Sequence, residues 1–253
     1  MKNFLKWIYT IYAAITFVLV FLCIYPFFLI MIFIKPLQGY LHFINHMWAR
    51  TWFTIVGMPV KVVYEKKFSS KKQVIFVANH FSYMDIALMT WLFNNFIFMG
   101  KSSIARVPLF GYMFRKLHIT VDRSRAKDRY AAYRKGLEKI KEGKSLAIFP
   151  EGGIKAKNPP QMAMFKDGAF RLAIEQNVAL VPVTLPYNWL VLPDDQFLLS
   201  WHSQKMIVHE PIETHDLTEK DIPELKKRVY SIIQNKLDEH FPAYAIESET
   251  VNA

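Results

Sequence analysis

Twenty-eight consecutive residues, WIYTIYAAITFVLVFLCIYPFFLIMIFI, carry no charge between Lys6 and Lys35. As one helix this run would be about 42 Å long at 1.5 Å per residue, against a bilayer hydrocarbon core of about 30 Å. Globular domains seldom contain such a stretch, so residues 7–34 read as a membrane anchor. The run exceeds the apolar part of a signal peptide and no A-x-A site follows it, so the anchor is read as retained. Pro26 lies inside the run and can kink or break a helix. A straight span and a bent, re-entrant anchor both fit. A second apolar stretch, residues 37–59, contains His42, His46 and Arg50. It is expected to form a helix in the membrane interface or against the first one, with Trp48 and Trp52 at headgroup level. An ordinary amphipathic helix packed on the domain core is the other reading.

The 253 residues leave room for one α/β domain beyond such an anchor. The expected division is 1–58 for the anchoring helices and 59–253 for the rest. The net charge is +11, and residues 101–144 alone hold thirteen Lys or Arg against four Asp or Glu. Beside an anchor, a basic segment favours anionic lipid or a phosphorylated substrate. No recognised nucleic-acid motif accompanies it, so nucleic acid is not expected as a partner. Lys2, Lys6 and the basic segment should all prefer the cytoplasmic side of the cell membrane. An anchor with both ends on one side satisfies that preference, and a single span does not. Cys23 is the single cysteine, which excludes an intramolecular disulfide and a thiolate metal cluster.

After the anchor, short apolar strands alternate with helices. Strand candidates are 60–64, 74–79, 97–100, 118–121, 145–149 and 179–185, with FLLSW and KMIVH nearer the end. Helices are expected over 85–95, over 126–142 with Gly143 closing it, over 166–176 stopping near Asn177, and over 222–239. Pro182 inside a strand predicts an edge or a bulge. The pattern predicts a mixed, largely parallel sheet covered by helices, with ligands beyond the strand ends.

Two strand ends carry candidate chemistry. The first is Asn79-His80-Phe81-Ser82-Tyr83-Met84-Asp85. Ser82-x-x-Asp85 before an apolar run has the form of a helix capping box, so Asp85 can be a helix-start signal only. On one continuous helix, residues five apart point about 140° away from each other and cannot meet. With His80 in the turn and Asp85 in the first helical turn, the chain can fold them together. A carboxylate on one imidazole nitrogen fixes the tautomer and leaves the other free to take a proton. No G-x-S-x-G elbow or H-E-x-x-H is present, so neither a serine nucleophile of that type nor a zinc site has support. Two Gly-Lys-Ser triplets lack the first glycine of a phosphate loop, with Asn95 and Glu138 in its place. A base without a protein nucleophile suits direct attack by a substrate hydroxyl on an activated acyl group. The second strand end, Pro150-Glu151-Gly152-Gly153, is either a plain turn or a place where backbone amides approach an anion.

The Asn79–Asp85 segment resembles the N-H-x4-D block of the lysophosphatidic acid acyltransferase family of glycerolipid acyltransferases. Further blocks follow in the family's order. Lys101 with Pro108, Phe110 and Gly111 resembles the second, with Asp122-Arg123 after it. Phe149-Pro150-Glu151-Gly152 resembles the third, followed by the basic turn Lys166-Asp167-Gly168, and Val181-Pro182-Val183 resembles the fourth. The chain departs from the family at Gly153-Ile154-Lys155, where Thr-Arg-Ser is common, and at Ser103, where a glutamate often stands. The resemblance implies the glycerolipid acyltransferase fold and transfer of a fatty acyl group to lysophosphatidic acid, giving phosphatidic acid. It implies an acyl-CoA or acyl carrier protein co-substrate, no cofactor and no metal. His80 would be the base, held by Asp85. Lys101 and Arg123 would bind the acceptor phosphate, and Glu151, Gly152 and Gly153 would position the acceptor. Another acceptor, such as a lyso-aminolipid or glycerol 3-phosphate, and a non-catalytic lipid-binding protein on the same fold are the alternatives.

Overall fold

The computed structural model describes residues 2–244; residue 1 and residues 245–253 lie outside the described residues. Helix α1 (Lys2–Phe33) runs unbroken through Pro26. A 3-10 segment (Lys35–Tyr40) turns the chain into α2 (Leu41–Ile55). The end of α2 returns to the start of α1: the Tyr9 and Tyr12 hydroxyls donate to Val56 O and Ile55 O at 2.8 and 2.9 Å. The two helices therefore form an antiparallel hairpin. Asn3–Phe33 is long and apolar enough to cross a membrane, its most apolar 18-residue window having a mean hydropathy of 2.8.

Trp48 and Trp52 are not displayed at a surface. Trp52 is buried, donating its indole N–H to Ala13 O at 2.9 Å, and Trp48 packs on Phe17 and Phe21. Both lie on the face of α2 turned to α1, which Asn45 and Ala49 share at helical spacing. Packing between helices outweighs the interfacial preference of their rings.

The remainder is a sheet between helices. Its strands are β1 (Val60–Tyr64), β2 (Val74–Ala78), β3 (Phe96–Lys101), β4 (Ile119–Val121), β5 (Ser145–Ile148), β6 (Ala179–Thr184) and β7 (Gln204–Val208). The helices are α3 (Met84–Met89), α4 (Phe110–Leu117), α5 (Ala126–Lys141), α6 (Gly168–Glu175), α7 (Asn188–Val191) and α8 (Ile222–His240). The sheet order is β1-β7-β6-β2-β5-β3-β4. All neighbours are parallel except β6 and β7, so the sheet is mixed and largely parallel, as expected. β2 is buried along its whole length, which is why it reads as a continuous apolar run. Its Ile75 and Val77 join a core with residues of α5, α6 and α8, and its Val74, Phe76 and Ala78 join a core with residues of α2 and α3. Phe21, Phe28 and Met31 of α1 belong to the first of these cores, so the hairpin and the sheet share packing.

Two helix ends were written in single residues. Gly143 has φ +79°, and its N–H and that of Lys144 bond back to Ile140 O and Lys139 O at 2.9 and 3.0 Å. Asn177 has φ +51° and closes α6 in the same way, Val178 N–H reaching Ala173 O at 2.9 Å. Three expectations need correction. The helix predicted over 85–95 stops at Met89, because the N–H groups of Thr90, Trp91 and Leu92 take i−3 carbonyls and tighten the turn. FLLSW is not a strand: Leu199 N–H bonds to Thr10 Oγ1 and Ser200 N–H to Val191 O, fixing it against α1 and α7. Pro182 is on an interior strand, which excludes the edge, while the pairing slips by one residue beside it, from Val183↔Val208 to Leu180↔Ile212, in keeping with the bulge. The Pro182 carbonyl accepts His209 N–H at 3.0 Å beyond the two-pair ladder of β6 with β7, so the missing donor falls where that ladder ends.

Candidate active site

β6, β2 and β5 lie side by side and parallel, and their carboxyl ends bring distant segments together. Asn79 ends β2 by pairing its side-chain amide with the backbone of Leu185: Nδ2 donates to Leu185 O at 3.0 Å and Oδ1 accepts Leu185 N–H at 2.8 Å. This ties the end of β2 to the end of β6 and fixes where His80 begins.

The chain then turns tightly around one carboxylate. Asp85 Oδ2 accepts from His80 Nδ1 at 2.8 Å, Phe81 N–H at 2.8 Å and Ser82 N–H at 2.9 Å. Asp85 Oδ1 accepts from Asn188 Nδ2 at 2.7 Å, and Asp85 is fully buried. The capping arrangement and the His-Asp pair are therefore the same structure. Because Nδ1 faces a carboxylate, the hydrogen-bond network assigns it the proton, and Nε2 carries the lone pair. Nε2 makes no hydrogen bond among the described residues, and 11% of the His80 side chain stays accessible. The ring stacks on Phe149, centroids 4.1 Å apart, which fixes its plane.

Glu151 holds this turn from the other strand end. Its Oε1 accepts His80 N–H at 2.7 Å and its Oε2 accepts Ala163 N–H at 2.9 Å. Both oxygens are thus used on backbone amides. Burial pushes the carboxyl up to about 8, against the pull of those two donors and with a further push from the Asp85 charge. Gly152 follows at φ +83°, and a Cβ there would meet Lys166 Cε at 2.9 Å. A side chain at Gly153, φ +145°, would come to 3.7 Å from Arg123 Nη1. The glycines let the backbone pass between two cationic side chains.

Two cavities open nearby, and His80 is on the lining of neither: its stacking partner Phe149 lines one, and Tyr83 and Met84, which follow it in the chain, line the other. One, of about 380 Å³, is lined by Arg123, Arg129, Tyr130, Phe149, Gly152 and Lys166 among others. Burial lowers Arg123, and burial together with the charges of Lys155, Arg123 and Arg129 lowers Lys166. Four cations thus gather, and the one acid on the lining, Asp167, is paired with Lys226, an arrangement suited to an anion. The other cavity, of about 770 Å³, is lined by Phe17, Phe21, Trp48, Met84, Phe110 and Leu192 among others, and is almost wholly apolar. Lys101 stands apart from both linings, exposed at the end of β3. No group of three or more metal-ligating side chains occurs among the described residues.

The acyltransferase family model matches residues 59–186. A 1-acyl-sn-glycerol-3-phosphate acyltransferase of Saccharomyces cerevisiae is 30% identical over 223 residues, spanning 85% of this chain and 73% of its own. The chain belongs to the acyltransferase family. The sequence resemblance to the glycerolipid acyltransferases is thereby borne out. The chloroplastic relative LPAT1 of Arabidopsis thaliana is 28% identical, covering 66% of this chain but only 48% of its own length. The crystal structure of the 1-acyl-sn-glycerophosphate (LPA) acyltransferase PlsC from Thermotoga maritima shares the fold. It has a TM-score of 0.75 and 23% identity, covering 94% of this chain and 95% of that one. Its likeness includes the N-terminal helices as well as the sheet, given that coverage.

Sequence reasoning passed over two residues of the site. Asn188 is 103 positions from Asp85 and has no motif around it; only the fold joins them. Lys155 stood out as a departure from the family pattern, and the structure sets its charge beside Lys166.

Proposed function

We propose that the chain transfers a fatty acyl group from an acyl thioester to the free hydroxyl of lysophosphatidic acid, forming phosphatidic acid. The observation that carries this reading is a single imidazole, backed by a buried carboxylate, whose other nitrogen has no partner among the described residues and whose immediate neighbours line a cationic cavity and an apolar one. The acceptor hydroxyl gives its proton to His80 Nε2 as its oxygen attacks the thioester carbonyl. The C–S bond then breaks. A thiol has a pKa of about 8.5, so the thiolate leaves with little assistance and takes the proton back from the imidazolium. Asp85 keeps Nδ1 protonated and supports the charge on the ring. Glu151 is a positioning residue, since it touches the His80 backbone.

The acceptor phosphate is assigned to Arg123 and Lys166 beside the Gly152-Gly153 backbone, through bidentate and point-charge contacts. Lys101 is left outside that cradle. The acyl chain is assigned to the apolar cavity. The donor is a thioester of coenzyme A or acyl carrier protein. Acceptor and product are both lipids, and the hairpin of α1 and α2 supports a membrane-bound protein entered and left from one side, with the basic segment on the cytoplasmic face. The test is mass spectrometry of products formed by the purified full chain from labelled acyl thioester and a panel of lysolipids. Labelled phosphatidic acid is expected. Label in a lyso-aminolipid or glycerol 3-phosphate product instead would move the acceptor, and no labelled lipid would sink the enzyme.

A further inference from the structure

An apolar cavity should be lined by groups that need nothing from its occupant. Most of the larger cavity obeys this. Its Thr10 hydroxyl donates to Lys6 O and accepts Leu199 N–H, and its Thr90 hydroxyl donates to Ala87 O. Two residues do not obey it: Trp48, whose buried indole N–H has no partner among the described residues, and Asn45. Asn45, on α2, lines the cavity, is 6% exposed, and makes no side-chain hydrogen bond with any described residue. A primary amide carries two donors and an acceptor with two lone pairs. Buried polar groups in native structures are almost always met by something, so an unmet one calls for a ligand atom or water. His118, on the lining of the same cavity, adds a second donor. Its Nδ1 accepts Phe98 N–H at 3.2 Å, so in the neutral ring Nε2 carries the proton, and no described residue accepts it. Burial pushes this ring's pKa down to about 3, which keeps it neutral.

The position of Asn45 restricts what it can meet. Tyr83 and Met84, at the start of α3, adjoin the His80 turn, whereas Thr90 closes the other end. His46, next to Asn45, meets Thr90 O through Nδ1 at 3.0 Å. The six residues of α3 set these ends about 9 Å apart at 1.5 Å per residue. An acyl chain lying in this cavity with its thioester end toward the His80 turn would offer the Asn45 amide only methylene groups if saturated and unsubstituted.

We propose that Asn45, with His118 as a second donor, is a polar subsite that selects acyl chains bearing a hydroxyl partway along the chain. The inference rests on the assignment of this cavity to the acyl chain. Once such a chain is seated, its hydroxyl both accepts from and donates to the Asn45 amide.

Trp48 and Trp52 line the cavity, so their fluorescence reports its occupancy without any chemistry. The experiment titrates the purified full chain with a saturated long-chain fatty acid and with its monohydroxy isomers, one chain position at a time. One isomer is expected to bind about tenfold more tightly than the unsubstituted acid, the worth of one buried hydrogen bond. Asn45→Leu should abolish that advantage and strengthen binding of the unsubstituted acid, and Asn45→Ala should abolish the advantage as well. Equal affinity for all isomers in the unaltered chain would overturn the proposal, as would an advantage that survives Asn45→Leu or Asn45→Ala. The isomer scan on the unaltered chain decides the matter even if a variant fails to fold. Should the advantage appear while no lysolipid is acylated, the catalytic reading falls and the subsite stands. Should unsubstituted and hydroxylated chains bind and transfer alike, the subsite falls and the catalytic reading stands.

Discussion

Two buried histidines in this protein are each braced by a carboxylate at 2.8 Å, and they differ at the other nitrogen. His80 is held by Asp85, and its Nε2 is free among the described residues. His209, on the loop after β7, is held by Glu65, and its Nε2 meets the Thr184 hydroxyl at 2.7 Å. Thr184 is fully buried, so nothing reaches that pair. Glu65 also lies 3.5 Å from Lys236 of α8, which makes the His209 network a fastening between the sheet and the last helix. A hydroxyl, an imidazole and a carboxylate in line resemble a catalytic triad by distance alone. The second nitrogen separates the two: that of His80 has no partner among the described residues and 11% of its side chain is accessible, whereas that of His209 is taken by Thr184. Pairing with an acid is common to both, so under the proposed function it is the unoccupied nitrogen that sets His80 apart from His209.

Substitutions at these residues separate loss of rate from loss of stability. The largest effect is expected from His80→Ala, with acyl transfer falling at least about a hundredfold, the scale of a lost general base, and the thermal midpoint nearly unchanged. Initial rates with lysophosphatidic acid and thermal unfolding of the same preparation measure both quantities. Asp85→Asn should come next. It keeps one oxygen but removes the charge that supports the protonated ring, and it weakens the acceptor shared by Phe81 and Ser82. A fall of at least about tenfold in rate is expected, together with a lower thermal midpoint.

His209→Ala should invert the pattern. It strands the Thr184 hydroxyl in the interior, so a stability loss of about 1–3 kcal/mol is expected in denaturant titration, with the transfer rate within about twofold of the unaltered protein. A large rate loss there would mean that the two sites are coupled. The last effect is a slope against pH rather than a loss of rate, and it concerns Glu151. Its folded carboxyl titrates at about 8, above its ordinary 4.5. The folded state therefore holds the proton more tightly than the unfolded one. That contribution is present at low pH and declines as pH rises from about 4.5 to about 8. Denaturant titrations across this window should show the decline in the unaltered chain and a shallower one in Glu151→Gln.

Much of this could be read in the chain because local chemistry decided it. The buried strands β2, β5 and β6 are continuous apolar runs, and Gly143 and Asn177 stop their helices by adopting positive φ. The His80–Asp85 turn was legible as well, because the capping pattern that starts α3 also brings the two side chains within reach. Tertiary contacts decided the rest. Trp48 and Trp52 suit a lipid interface by composition, but α1 offers them more packing. FLLSW has a strand's composition and was drawn instead against α1 and α7. Asn188 carries no local signal, since its role exists only once β6 and β2 lie side by side. Glu151 was read as positioning the acceptor, and no local signal told that its oxygens hold backbone amides of two distant segments.

The central claim is that the free nitrogen of His80 acts on the acceptor itself, with no acyl group passing through the protein. The most direct test mixes the full chain with labelled acyl thioester without acceptor, quenches in denaturant, and measures label on the protein by intact mass. The account predicts unmodified protein, followed by labelled phosphatidic acid when lysophosphatidic acid is added. An acylated protein whose label then moves into the lipid would contradict it.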